Sequence, residues 1–134
     1  MKFLIVEDDE IDYMQIQRSL QKLKISNELI RAKNGVEAQD IINSLNNVPY
    51  LILLDLNMPL MNGYEFLDWL RASDQPTTPV VVLTTSSDPE DIKTVYQKCV
   101  CGYIVKPIDI NKFIEVMSVV GQYWNVCQIP KRSK

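Results

Sequence analysis

The sequence contains no histidine among its 134 residues. This absence excludes a Ser-His-Asp triad, a Cys-His catalytic pair and any histidine-ligated metal site within the chain. Cysteine is scarce as well, because only three are present and no two of them form a Cys-x-x-Cys motif. A disulfide framework or a zinc site is therefore not expected, and the thiols of Cys99, Cys101 and Cys127 are predicted to be reduced and partly buried. Any chemistry must use carboxylates, hydroxyl groups, lysine and a hard cation.

A long apolar run and an excess of basic residues are also missing. No apolar run approaches the roughly 18 residues that span a bilayer, and acids at positions 7–9 end the first apolar segment too early for a signal peptide. Lys and Arg total 14 against 17 Asp and Glu, so the net charge is −3. That balance argues against a nucleic-acid-binding surface. We expect a cytoplasmic protein with no nucleic-acid or membrane partner.

The length and the composition suit a single globular domain. Apolar residues make up 46% of the chain and charged residues 23%, which is close to the globular average. We expect one domain over residues 1–126, followed by a short basic tail over residues 127–134. The chain is too short for a separate second domain.

Short apolar runs alternate with segments of helical periodicity along the whole chain. The predicted strands are Phe3–Val6, Glu28–Ala32, Tyr50–Leu54, Val80–Leu83 and Tyr103–Val105. The predicted helices run from about Ile11 to Leu23, from Gly35 to Leu45, around Phe66 to Leu70, from Pro89 through Cys99 to an end at Gly102, and from Ile110 to about Trp124. Asp88 and Asp109 are predicted to cap the last two of these helices.

Five strand–helix units of this kind predict an α/β fold with a parallel sheet. Strands that are apolar on both faces are covered by helices on both sides. Right-handed crossovers divide the helices between the two faces. In such sheets, ligands bind outside the carboxyl ends of the strands. The residues at those ends are therefore the candidates for a functional site.

Acids, hydroxyl groups and a lysine follow four of the predicted strands. They are Glu7-Asp8-Asp9 after the first strand, Asp55 after the third, Thr84-Thr85-Ser86-Ser87 after the fourth, and Lys106-Pro107 after the fifth. Carboxylates gathered at one point repel each other, and a divalent cation relieves that repulsion. Oxygen ligands favour Mg²⁺, which usually keeps one or two carboxylates, several waters and a phosphate oxygen. This combination suits phosphoryl transfer, with Asp55 as the nucleophile.

Each of these features also has an ordinary structural explanation when it is taken alone. Acids after a strand often serve as caps or turns, a threonine at a strand end is usually structural, and Lys-Pro is a common loop pair. Asp55 is less easily explained in this way, because it closes a buried strand. The occurrence of all four features at successive strand ends carries the functional interpretation.

These motifs, in this order, resemble the receiver domains of two-component response regulators. The resemblance extends from Lys2 to about Trp124. The segments that carry it are Leu4–Asp9, Leu53–Pro59, Met61–Gly63, Val81–Thr84 and Gly102–Pro107. It implies a doubly wound flavodoxin-like or CheY-like sheet with strand order 2-1-3-4-5. It also implies a stand-alone receiver without an output domain.

The resemblance assigns roles to the acids of the predicted site. Asp55 is expected to accept the phosphoryl group. Asp8, Asp55 and the backbone carbonyl of Asn57 are expected to bind Mg²⁺, and Glu7 is expected to act through a bound water. We align Glu7 and Asp8 with the acid pair of the family, which leaves Asp9 as a bystander.

The resemblance also assigns roles at the other strand ends. Thr84 and Lys106 are expected to contact the phosphoryl group, and Tyr103 is expected to be the switch aromatic whose rotamer is coupled to Thr84. A cis peptide at Lys106–Pro107 is expected to fix the direction of the lysine. Thr85 stands where a smaller residue is commoner, so we expect narrower access to the site.

A narrower similarity connects the chain with stand-alone regulators that are served by bacteriophytochrome-type histidine kinases. It depends on Val82–Ser86, on Asp91-Ile92, and on Tyr123-Trp124 with the later Pro130. The expected partner is a sensor histidine kinase or a phosphotransfer protein. Two alternatives remain open: a non-phosphorylated scaffold with this fold, and a phosphatase with a carboxylate nucleophile.

The last predicted helix carries more apolar residues than one sheet needs. Its core face is predicted to consist of Ile110, Phe113, Ile114, Met117, Val120 and Trp124. Val116, Val119 and Tyr123 fall on an adjacent face, where they either lie half-buried among neighbours or form an interface. We expect a surface made of the fourth helix, the fifth strand and the fifth helix to bind a partner, with a second copy of the chain as one candidate.

Overall fold

The computed structural model describes residues 1–45 and 49–130. Strands and helices alternate along the chain, as the apolar runs predict. The strands are β1 (Lys2–Val6), β2 (Leu29–Ala32), β3 (Tyr50–Leu54), β4 (Val80–Thr84) and β5 (Gly102–Val105). The helices are α1 (Glu10–Lys22), α2 (Gly35–Ser44), α3 (Gly63–Ala72), α4 (Pro89–Tyr96) and α5 (Ile110–Val126).

The five strands form one parallel sheet in the order β2-β1-β3-β4-β5. This order confirms the doubly wound α/β fold predicted from the sequence. Every residue of β3 and β4 is buried, because both strands lie in the interior of the sheet and helices cover them on both faces. The strand that precedes the acidic run, β1, lies directly beside β3, so the carboxyl ends of the two strands meet at one edge.

Two apolar cores hold the helices to the two faces of the sheet. On one face, buried residues of α2, α3 and α4 such as Phe66 pack against the sheet. On the other face, α1 and α5 pack together around Phe3, Ile16 and Met117. Burial of each large apolar side chain contributes roughly 1.5–3 kcal/mol, so the two cores together stabilise the sheet edge that carries the polar residues.

Capping residues begin every helix at the same edge of the sheet. Asp9, Asn34, Asn62, Asp88 and Asp109 each accept a hydrogen bond from a backbone N–H in the first turn of the helix that follows. The caps predicted at Asp88 and Asp109 are confirmed. Each cap contributes about 1 kcal/mol and fixes where its helix begins.

The fourth helix is shorter than its sequence pattern predicts. It ends at Tyr96, whereas the pattern predicts a helix through Cys99 to Gly102. Cys99 adopts a left-handed conformation with φ 61°, which ends helical geometry, and Gly102 is the first residue of β5. Cys99 and Cys101 are exposed and only Cys127 is half-buried, so the prediction of partly buried thiols is wrong for the first two.

The inner face of α5 agrees with its predicted core face at four of six positions, whereas Ile114 is only half-buried and Ile110 is exposed. Phe113, Met117 and Val120 are buried, and Trp124 packs against the same core. Ile110 is 48% exposed, because it opens the first turn of the helix before the helix packs on the sheet. Within the described residues, no helix has the length and apolar character needed to cross a membrane.

Candidate active site

The register of the sheet brings the predicted site residues to one edge. Val6 of β1 pairs with Leu54 of β3, so the residues that follow them leave the sheet side by side. The Asp55 N–H donates to the Val6 carbonyl at 3.0 Å, and the Lys106 N–H donates to the Thr84 carbonyl at 2.7 Å. The backbone of Asp55 and of Lys106 is therefore held in place by the hydrogen bonds of the sheet.

Three acids converge at this edge. Glu7, Asp8 and Asp55 each place one carboxylate oxygen within 4.8 Å of the other two. Glu7 is only 2% exposed, Asp55 is partly exposed and Asp8 is exposed, so the cluster opens to solvent on one side. An all-oxygen donor set of this size suits Mg²⁺ rather than a softer metal.

The loop after Asp55 is held by a close backbone approach at Gly63. A Cβ atom at this position would lie 2.7 Å from Leu56 Cα and 2.9 Å from the Asp55 carbonyl oxygen. The Gly63 N–H donates to the Leu56 carbonyl at 2.9 Å. Only glycine allows α3 to begin this close to β3, and this contact fixes the path of the loop that contains Asn57.

Burial dominates the ionisation of the two inner acids. It raises the pKa of Glu7 to about 8, although the hydrogen bond and the charge of Lys106 oppose the rise. Burial also raises the pKa of Asp55, against the charge of Lys106 and the hydrogen bond between the two acids. The carboxyl groups are therefore destabilised as anions, and a divalent cation would compensate that charge.

Lys106 lies against two acids. Its ammonium nitrogen is 2.6 Å from Glu7 Oε1 and 2.9 Å from Asp12 Oδ2. Burial alone would lower the pKa of this ammonium, but the hydrogen bonds to Glu7 and Asp12 and the charges of Glu7 and Asp55 raise it. Lys106 is therefore a fixed positive charge beside the three acids.

Thr84 and Tyr103 meet at a third residue, Ser86. Thr84 is fully buried, and its Oγ1 accepts a hydrogen bond from the Ser86 N–H at 3.4 Å. The Tyr103 hydroxyl donates to the Ser86 carbonyl at 2.9 Å. The predicted contact residue and the predicted switch aromatic are therefore connected through the backbone of the β4–α4 loop.

The family model of the response regulator receiver domain matches residues 3–118. This chain belongs to that family. It is 32% identical over 127 residues to response regulator Rcp1 of Synechocystis sp., and the match covers 90% of this chain and 86% of Rcp1. A solved structure of the Mn²⁺-bound form of Rcp1 has a TM-score of 0.84 with 31% identity, and the match covers 96% of this chain and 97% of that one.

Two further solved structures resemble this receiver domain over nearly all of their length. The receiver domain from Rhodospirillum rubrum has a TM-score of 0.92 with 26% identity, and both chains are fully covered. The phosphorylated cyanobacterial phytochrome response regulator RcpA has a TM-score of 0.86 with 29% identity, and the match covers 96% of this chain and 97% of that one. A metal-bound relative and a phosphorylated relative thus share the fold of this chain.

One expectation from the receiver resemblance is wrong. Within the described parts of the chain there is no cis peptide bond, so Lys106–Pro107 is trans. For a bond that precedes proline, the trans form is favoured by roughly 0.5–1 kcal/mol. The direction of the lysine is set by its two acidic partners, Glu7 and Asp12.

Two receiver-site residues were missed by the sequence reasoning. Asp12 lies in the first turn of α1, and its carboxylate accepts a hydrogen bond from Lys106; its place just after the run of acids at positions 7–10 could have indicated it. Arg31 lies on β2, far from the acids in sequence but next to them in space. Its guanidinium donates to the backbone carbonyls of Glu7 and Asp8 at 3.3–3.4 Å. Arg31 thereby holds the acidic loop, and no local signal in the sequence marks it.

The remaining residues named in the prediction lie at the rim of the site. Asp9 caps α1 and is not part of the cluster of three acids. Asn57 is exposed, and its N–H donates to Asp55 Oδ1 at 3.4 Å. Thr85 is exposed beside the buried Thr84. The roles assigned to these residues stay predictions.

The three residues of the additional apolar face of α5, which are Val116, Val119 and Tyr123, differ in how far they are buried. Val116 packs against the core, as the non-interface alternative requires. Val119 is 68% exposed and Tyr123 is 58% exposed. A groove of about 380 Å³ runs between β5 and α5, and its lining is mainly apolar. This combination leaves an apolar surface on the receiver that no part of the described chain covers.

Proposed function

We propose that this receiver domain is the phosphorylation-switched module of a response regulator. Asp55 accepts a phosphoryl group from a sensor histidine kinase or a phosphotransfer protein, and the modified site changes a protein-interaction surface. The convergence of Glu7, Asp8 and Asp55 within 4.8 Å, with Lys106 beside them, carries this proposal. A scaffold that is never phosphorylated would have no use for buried acids of raised pKa.

The chemistry follows from the positions of the side chains. An oxygen of the Asp55 carboxylate attacks phosphorus, the P–N bond to the donor imidazole breaks, and the bonding electrons leave with the imidazole, which takes up a proton. Lys106 and Thr84 stabilise the charge on the phosphoryl oxygens. Water later hydrolyses the acyl phosphate, which releases inorganic phosphate and returns Asp55 to a carboxylate. The group that is phosphorylated and dephosphorylated is thus the protein's own side chain, and no external substrate is turned over.

Mg²⁺ fits the donor set of this site. Asp8, Asp55 and the backbone carbonyl of Asn57 would hold the ion, and Glu7 would act through a bound water. When bound, the ion supplies positive charge that offsets the acids and the incoming phosphate. The all-oxygen donors, the raised pKa of Glu7 and the Mn²⁺-bound form of Rcp1 support this assignment.

A phosphatase function is disfavoured by the residue two positions after the nucleophile. An enzyme of that kind needs a second acid to protonate the leaving alcohol, and Asn57 stands at this position. An amide cannot donate a proton in that role. Turnover of an aryl phosphate would favour this alternative over the proposed switch.

The partners are proposed from the relatives and from the exposed apolar face. RcpA is a phytochrome response regulator, and we propose a kinase of the phytochrome type as the phosphodonor, in the cytosol. We propose a second copy of the chain as a partner for the surface of α4, β5 and α5. Exposed Val119 and Tyr123 beside the apolar groove support this choice.

The test is intact-mass analysis after incubation with acetyl phosphate and Mg²⁺. We expect the mass of one added phosphoryl group on the wild type, loss of the adduct when Mg²⁺ is chelated beforehand, and no adduct on Asp55→Asn. Asp9→Asn is the matched control, because it removes a neighbouring charge while asparagine keeps the cap of α1. No adduct from acetyl phosphate or from phosphorylated histidine kinases would favour the scaffold alternative.

A further inference from the structure

A second polar network lies next to the acidic site, in the β4–α4 loop. The Asp91 carboxylate on α4 accepts two hydrogen bonds, from the Tyr64 hydroxyl on α3 at 2.5 Å and from the Ser86 hydroxyl at 2.6 Å. We call this group of three residues the Tyr64–Asp91–Ser86 clasp. Hydrogen bonds to a charged acceptor are about twice as strong as neutral ones, so the clasp ties the loop to two helices.

Ser86 is the residue at which the clasp meets the switch. Its N–H donates to Thr84, its carbonyl accepts from Tyr103, and its hydroxyl donates to Asp91. The Asp88 N–H also donates to the Ser86 hydroxyl at 3.3 Å. Every polar group of Ser86 is therefore engaged, and movement of this residue must break at least one of these bonds.

The far end of the clasp stands on rigid structure. Tyr64 lies in the first turn of α3, two and three residues before the buried residues Phe66 and Leu67. Tyr64 itself packs against the core. The two hydroxyl donors lower the pKa of Asp91, so it is held as the anion that both bonds need. The clasp therefore anchors a loop residue to the core rather than to another loop.

The clasp opposes the movement that the phosphoryl group requires. A hydrogen bond from the Thr84 hydroxyl to a phosphoryl oxygen on Asp55 requires this buried hydroxyl to reorient, and the Ser86 N–H, which donates to the same oxygen, moves the β4–α4 loop with it. The hydrogen bond from the Ser86 hydroxyl to the Asp91 carboxylate resists this movement of the loop. A ligand shifts such an equilibrium only by its different affinity for the two states, so an opposing contact weakens phosphoryl binding.

We propose that the Tyr64–Asp91–Ser86 clasp is a positioning device that holds the β4–α4 loop in its unphosphorylated arrangement, and that its loss makes the phosphorylated state easier to reach. This inference rests on the proposed phosphorylation of Asp55. It assigns Tyr64 and Asp91, which touch neither the acids nor the phosphoryl group, to the control of the switch.

The experiment measures the affinity of the protein for beryllofluoride, a stable mimic of the phosphoryl group, in excess Mg²⁺. Binding is followed by fluorine NMR on the wild type, Asp91→Asn and Tyr64→Phe. We expect both variants to bind roughly fivefold more tightly or better, which is within the usual range of coupling between sites. Glu90→Gln is the matched control, since it removes the same charge from the same turn of α4, and we expect it to stay within about twofold of the wild type.

Further readouts separate positioning from a structural role. A residue that only supports the fold would lower the free energy of unfolding without tightening beryllofluoride binding. Because Tyr64 and Ser86 act through one carboxylate, Tyr64→Phe combined with Ser86→Ala should tighten binding no more than the stronger single variant. Tyr64→Phe loses only one hydroxyl group, so it tests the clasp even where Asp91→Asn fails to fold.

The outcomes distinguish this inference from the proposed function. Unchanged or weaker binding in both variants, with normal binding by the wild type, would overturn the clasp as a restraint on the switch and leave the function of Asp55 intact. Absence of binding by the wild type would count against the proposed function, and the inference would fall with it.

Discussion

The acids at the sheet edge lower the stability of the folded protein, and the same acids form its reactive site. Glu7 is buried and Asp55 is partly buried beside a third carboxylate, and burial raises the pKa of both. Lys106 offsets part of the charge, but one ammonium group cannot neutralise three acids and Asp12 as well. Residues at functional sites commonly carry such a penalty, which the two apolar cores compensate.

The first prediction at this scale concerns the stability of the metal-free protein. Asp55→Asn removes one partly buried charge and keeps the shape of the side chain, so repulsion with Glu7 and Asp8 falls. We expect the variant to be more stable than the wild type, by on the order of 1 kcal/mol, in urea unfolding with a chelator present.

Mg²⁺ should reverse that order of stability and make the wild type more stable than Asp55→Asn. An ion that binds only the folded state stabilises it according to its concentration and its dissociation constant, and Asp55→Asn lacks one of the ligands. We expect the Tm of the wild type to rise with Mg²⁺ far more than that of the variant. Asp9→Asn should respond like the wild type. A wild-type Tm that is indifferent to Mg²⁺ would contradict the assignment of the metal site.

The sequence predicts single site residues where they stand in a motif and misses them where they do not. Glu7, Asp8 and Asp55 follow apolar strands, and the parallel sheet brings such positions together. Arg31 reaches the site through contacts that depend on the neighbouring strand β1 and on the loop that follows it. An arginine is typical of many surface positions, so no pattern distinguishes Arg31 before the fold is known.

At the scale of elements, Arg71 joins the end of α3 to two loops. Its guanidinium donates to the carbonyls of Pro76, Thr78, Lys98 and Cys99 at 2.8–2.9 Å. Two of these acceptors belong to the segment that follows α4. The early end of that helix therefore depends on a residue far away in sequence, and the apolar pattern of α4 alone could not predict it.

The prediction for Arg71 is a loss of stability. Arg71→Met keeps the apolar stem of the side chain and leaves four carbonyls without their donor, so we expect the free energy of unfolding to fall by roughly 2–4 kcal/mol. Arg71→Lys should recover only part of the loss, because an ammonium group cannot span the same four acceptors. Urea unfolding measures both.

The control for this loss is Arg18→Met on α1, where the side chain is exposed. We expect it to change the free energy of unfolding by less than about 0.5 kcal/mol. An equal effect of the two substitutions would show that Arg71 contributes only as a surface charge.

At the scale of the whole molecule, the edge strand β5 and the additional apolar face of α5, which carries Val116, Val119 and Tyr123, form one apolar region. The interior strands are covered on both faces, whereas β5 is the last strand and is only half-buried. The core face of α5 could be predicted from helical spacing. The division of the adjacent face into half-buried Val116 and exposed Val119 could not be predicted, because it depends on how the helix is rotated on the sheet.

The prediction at this scale concerns self-association. Sedimentation of the wild type over a range of concentrations should show a dimer that Val119→Asp weakens roughly tenfold or more, since a charge would enter the centre of the apolar contact. Val36→Asp is the matched control, because Val36 is exposed on α2, away from this surface. A wild type that stays monomeric, with and without beryllofluoride, would contradict the dimer, and unchanged binding of other partners by Val119→Asp would exclude the surface altogether.

The most direct test of the central claim is to locate the phosphoryl group. After phosphorylation, borohydride reduction converts an aspartyl phosphate to homoserine, and tryptic peptides are sequenced by mass spectrometry. Asp55 lies in the peptide 34–71, whereas Glu7, Asp8 and Asp9 lie in the peptide 3–18, so the candidate carboxylates separate cleanly. We predict homoserine at position 55 alone, and reduction at any other acid, or at none while an adduct is present, would contradict Asp55 as the acceptor.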